Sequence, residues 1–116
     1  MLSGGDMMFP RLIRNAKTPV RVIITSEDIN EYGERETLLD AHFCCNYQDF
    51  AATKYAKDKG AVEIAGAAYI DGDILPDAAI ISSGFIEIFG VRRKIAGAQK
   101  ARNLDGSVNY TRLDVI

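Results

Sequence analysis

The stretch from Glu36 to Tyr47 leaves this chain little choice of fold. Thr37, Leu39, Ala41, Phe43, Cys45 and Tyr47 make one mainly apolar face, and Asp40, His42 and Asn46 sit on the other. A period of two marks a strand with one face buried. One such strand is not stable alone and needs neighbours in a sheet. Further strand signals follow at short spacing. Val20 to Ser26 (VRVIITS) is rich in β-branched residues. Ala61 to Ile70 places Val62, Ile64, Ala68 and Ile70 on one face. Gly84 to Gly90 (GFIEIFG), Val91 to Ala98 and Val108 to Ile116 complete the set.

The segments between are short and polar. Glu27 to Glu34, Asp71 to Asp77 and Asn103 to Ser107 read as turns or loops, the last around Asp105-Gly106. Gln48 to Gly60 carries three lysines and two aspartates and reads either as a helix turn or as a long loop. In the last strand the apolar positions change phase between Tyr110 and Leu113, which predicts a bulge or bend there. Residues 1–18 read as an arm. Pro10 suits a first helical position, and Leu12, Ile13 and Ala16 then share a face before Pro19 ends the turn. Met7, Met8 and Phe9 either fold back on the core or dock on another subunit. The fold expected is mainly β: a small antiparallel β-barrel or sandwich of about six strands, over residues 19–116, with a short N-terminal helical arm.

The 116 residues suit one domain with one modest core. With 47% hydrophobic and 26% charged residues, the chain as a whole is not disordered. A net charge of −2 gives no overall pull toward nucleic acid or an anionic membrane. The charges nevertheless fall in blocks. Met7 to Ser26 holds Arg11, Arg14, Lys17 and Arg21 with no acid. Glu27 to Asp40 holds six acids against Arg35 alone. Arg92 to Arg102 holds five bases and no acid. Such blocks give local surfaces of opposite sign. The start of the sequence lacks a basic n-region and an apolar h-region, and no apolar run is long enough to span a bilayer. Cys44 and Cys45 are adjacent and point to opposite faces of a strand, so they staple nothing together. A reducing, cytosolic compartment is expected. In that setting the N-x-[ST] match Asn109-Tyr110-Thr111 reads as strand, not as a glycan site.

Catalytic and metal patterns are thin. His42 and Cys44 share a strand face, but one histidine without a second Cys cluster falls short of a zinc ligand set. No base stands ready to activate either thiol. Asp71, Asp73 and Asp77 lack the central glycine and terminal glutamate of a calcium loop, and Asp-Gly-Asp reads as a turn. No phosphate-binding glycine loop and no nucleophile elbow is present. The reading expects no enzyme, no cofactor and no metal. The feature left over is the basic hairpin with Arg92, Arg93, Lys94, Lys100 and Arg102. It reads either as a solvated hairpin with edge-blocking charges or as a surface for phosphates or an acidic partner. No aromatic residues interleave it, so base stacking fits poorly.

Three stretches, FCCNYQD, IFGVRRKI and KARNLDGSVNYT, together resemble the head-closure (head-tail connector) proteins of tailed phages and phage-like elements of Gram-positive bacteria, including PBSX-type defective prophages. The resemblance runs from about Val20 to Ile116 and leaves MLSGGDMMFP unmatched. It implies a structural β-barrel subunit that assembles as a ring beneath the portal and joins the capsid to the tail. Its implied partners are portal or adaptor proteins, tail proteins and further copies of itself, with DNA possible in the channel and no membrane. It would leave the bacterial cytoplasm as part of a virion or phage-like particle. The resemblance makes Gln48 to Gly60 the candidate channel loop, with Lys54, Lys57 and Lys59, and turns the basic stretch toward an acidic neighbour or DNA. It brings no catalytic residue. The alternative is a small nucleic-acid-binding β-barrel using the basic hairpin.

Overall fold

The computed structural model describes residues 13, 15–56, 60–77, 81 and 83–116. Among them are six strands: β1 (Thr18–Ile29), β2 (Arg35–Ala56), β3 (Gly60–Asp71), β4 (Gly84–Ile88), β5 (Val91–Arg102) and β6 (Val108–Val115). Every pairing is antiparallel, and the order β1-β2-β3-β6-β5-β4 closes on itself. The single sheet is therefore a barrel, not a sandwich of two. The expected helical arm lies largely outside the described residues. Its described part holds one turn, in which the Ala16 N–H donates to the Ile13 carbonyl at 3.1 Å.

Closure depends on β2. Its 22 residues would run about 70 Å if straight, yet the molecule is 53 Å in its longest dimension, so the strand curves. Residues up to Cys45 pair with β1, and residues from Cys45 onward pair with β3. A register shift between Asp49 and Ala52 accompanies the bend.

The interior follows from alternation. Val20, Val22 and Ile24 of β1 meet Cys45, Ala68 and Ile70, Ile86 and Ile88, Ile95, and Leu113 and Val115. Ile74 and Ile81 enter the same cluster from the β3–β4 connection and close one end of the barrel. That end also carries the β1–β2 and β5–β6 turns. The opposite end carries the start of β1, the β2–β3 hairpin tip, the β4–β5 turn and Ile116.

Two expectations need correction. Gln48 to Ala56 is neither helix nor loop. It is the second half of β2, paired from Gln48↔Ala67 to Ala56↔Gly60. Alanine, lysine and aspartate are poor strand formers, but cross-strand pairing overrides that weak preference. In β6 the apolar phase change is not a bulge against β3, since the pairing runs unbroken from Tyr110↔Asp71 to Val115↔Gly66. The inward positions remain Asn109, Thr111, Leu113 and Val115, all buried. Polar residues simply take over the interior near the barrel end. There the Thr111 hydroxyl donates to the Gly72 carbonyl at 2.8 Å, and Asn109 Nδ2 donates to Asn103 Oδ1 at 2.9 Å. The buried Asn109 amide is thus a structural donor, in keeping with strand over glycan site.

Candidate contact surfaces

The five bases of the Arg92–Arg102 stretch do not share a face. Arg93 and Ile95 point inward, and Ile95 pairs with Val115. One extra residue then bulges out of β5, so Gly97 meets Asp114 and Ala98 meets Leu113. The bulge reverses the alternation beyond it. Lys100 consequently turns inward, with its side chain 7% exposed. Its ammonium sits 2.9 Å from Asp73 Oδ1 and donates to the Leu75 carbonyl at 2.9 Å, which ties the β3–β4 connection to the barrel. Asp73 Oδ1 also accepts from the Leu75 N–H at 3.1 Å. The acidic Asp71–Asp77 loop is a pinned turn, and no group of three or more potential metal ligands occurs among the described residues. Arg102 donates to the Gly106 carbonyl at 2.6 Å and clamps the β5–β6 turn.

Arg92 and Lys94 face outward. Arg92 belongs to a ladder of alternating charge that crosses four strands. Arg21 grips Asp40 with two bonds of 2.9 and 2.8 Å, reaches Glu87 at 3.5 Å, and Glu87 in turn holds Arg92 at 2.9 Å. The Arg21 hydrogen bond holds the Asp40 carboxyl below its usual range, and Arg92 does the same for Glu87. The Arg92 guanidinium also lies 5.3 Å from the Phe85 ring centre. Phosphate binding by Arg92 would have to compete with Glu87.

Lys54 does not line an open loop. From β2 it reaches Asp114 of β6 at 3.0 Å, and Arg112 holds the other carboxylate oxygen at 2.7 Å. Asp114 is nearly fully buried and has both charges it requires. Arg112 is stacked between Phe50 and Tyr69 at 5.5 and 5.6 Å. Lys57 and Lys59 lie outside the described residues. His42 and Cys44 are exposed on the outer face of β2, whereas burial pushes the Cys45 thiol up to about 11.

Two features had only faint sequence signals. Beyond Asp49 and Gly66, β2 and β3 pair, among the described residues, only with each other and form a two-stranded arm, with Ala51 to Tyr55 exposed. The signal was the residual alternation of residues 52–56, masked by alanine and lysine. The second is Phe89. With Gly90 it makes the two-residue β4–β5 turn, Ile88 pairing with Val91. Both central residues have positive φ, 52° and 74°, the pattern that favours Asn-Gly. Phe89 is 73% exposed and meets the Tyr47 ring edge-on at 5.9 Å. No family model matches this chain, and no curated protein matches its sequence.

Proposed function

We propose that this chain is a structural subunit of the head-tail connector of a tailed phage or phage-like particle, assembling as a ring between the portal and the tail. The observation that carries the reading is the β2–β3 arm. It runs past the β3–β6 pairing as a two-stranded ribbon whose outer edges have no strand partner among the described residues, with β2 side chains exposed on both faces from Ala51 to Tyr55. An isolated ribbon of this kind is marginal in water, so it gains most from a partner that covers it, as a neighbouring subunit or channel lining would. The family resemblance assigns the same segment to the channel, and Lys57 and Lys59 belong to the connection between its strands. A nucleic-acid-binding barrel that uses Arg92 to Arg102 has less support, because that stretch divides between interior and exterior.

Deleting the gene from its host element tests the reading. The expected result is capsids that package DNA but do not join tails. Particles assembled with normal tails would count against it.

A further inference from the structure

One end of the barrel carries an acidic hairpin and the other a group of bases, and both ends carry exposed apolar side chains. At one end the β1–β2 hairpin projects past the last β1–β4 pair, Ile24↔Gly84. It holds Glu27, Asp28, Glu31, Glu34 and Glu36 against Arg35 alone, all exposed, with Ile29 and Tyr32 exposed among them. Lys94 is the other base beside this hairpin, across a groove lined by Ile29 and Phe85. At the opposite end stand the exposed Lys17 and Arg92, the half-buried Arg93 near Tyr47, and one acid, Glu87, which Arg92 holds, with Phe89 and Val91 exposed beside them. The large hydrophobics exposed among the described residues all lie toward these two ends: Ile29, Tyr32, Leu38 and Leu104 at the acidic one, Tyr55, Phe89, Val91 and Ile116 at the basic one. The waist of the barrel, around Arg21 and Asp40, exposes none among the described residues.

Phe89 adds an independent pointer. A bulky residue at φ 52° strains the backbone where Asn or Gly would not. Its ring is mostly in solvent, so the fold gains little in return. Such a placement is expected where the ring meets something outside the fold.

We infer that the acidic β1–β2 hairpin of one copy docks on the basic, Phe89-bearing end of a second copy. The contact is heterologous: each copy offers one acidic and one basic end, so repetition gives a ring when the rotation closes. Charge complementarity selects the occupant, because each end matches the other end of the same chain. The apolar side chains supply the desolvated centre and the carboxylates and bases its rim. This inference deepens the ring reading above and identifies the interface within it.

Sedimentation velocity on the full chain, at protein concentrations up to about 1 mM, tests it. The wild type is expected to self-associate reversibly and to weaken at least about tenfold as NaCl rises from about 0.05 to about 0.5 M. One variant carries Glu31→Lys and Glu36→Lys, the other Lys17→Glu and Arg93→Glu. Each alone is expected to stay monomeric, while the mixture associates at least as far as a 1:1 heterodimer, through the acidic hairpin of the second variant and the basic end of the first. Phe89→Asn guards against misfolding as the explanation. It relieves the backbone, so the variant should unfold at a higher temperature yet lose at least about tenfold in association. A wild type that stays monomeric at low salt, reversed variants that still associate, or a mixture with no heterodimer would overturn the inference. A failed heterodimer beside a chain that still occupies the head-tail junction removes this interface alone. A heterodimer from a chain absent from that junction removes the connector reading alone.

Discussion

Gly84→Ala is expected to cost the barrel at least about 3 kcal/mol, or to prevent folding altogether. Gly84 opens β4 at φ 145°, a region L-residues rarely enter. It also lies against β1, paired with Ile24, and a Cβ built there overlaps the Ile23 carbonyl oxygen and comes within 3.1 Å of the Ile23 carbonyl carbon. That backbone cannot retreat, because Ile23 is paired on both sides, with Asp40 and with Phe85. β4 has only five residues and supplies Ile86 and Ile88 to the core, so displacing its start opens the barrel at the β1–β4 seam. Gly33→Ala is the control. Gly33 has φ 77° but nothing within 4 Å of an added Cβ, so its cost is backbone strain alone, about 1 kcal/mol. Urea denaturation of both variants measures the difference. Equal midpoints would show that the β1–β4 contact is not as close as described.

Lys100→Met is expected to destabilise the chain by about 2 kcal/mol, with its effect centred on the β3–β4 connection. Removing one partner of a buried ion pair typically costs about 3 to 5 kcal/mol, because the other charge is left uncompensated. Asp73 is 23% exposed, which lowers the figure. The ammonium also holds the Leu75 carbonyl, and Leu75 and Ile74 pack at the mouth of the core. The checks are the unfolding midpoint and limited proteolysis, where cleavage between Asp71 and Gly84 should accelerate. If Lys100 were instead a phosphate contact, the same change would leave stability alone and weaken DNA binding.

These two residues show what can be read from the chain without its fold. All six strands are legible, because alternation survives in each and the turns carry glycine, asparagine or aspartate. Closure into a barrel is not. It depends on β2 bending near Asp49 and pairing with two different neighbours, and nothing in the residue order distinguishes that from two packed sheets. The second half of β2 is obscured by its own composition, since its pairing with β3 forms a strand where local preference does not. The basic stretch misleads in another way. Arg92, Lys94, Lys100 and Arg102 share even numbering and so look like one face, but the extra residue after Ile95 turns Lys100 inward. Of the acidic block from Glu27 to Asp40, the part up to Glu36 lies exposed on the projecting hairpin, while Asp40 is taken up by Arg21 on the barrel wall. The charge ladder through Arg21 could not be foreseen, as it joins residues 19 to 66 positions apart.

As proposed, this chain is an assembly subunit built around a closed barrel with contact surfaces at its two ends. Electron cryo-microscopy of the particles made by its host element tests this most directly. The predicted result is a ring of copies at the junction of head and tail, the β1–β2 hairpin of each seated against the Phe89 turn of the next. Intact particles whose junction contains no copy of this chain would contradict it.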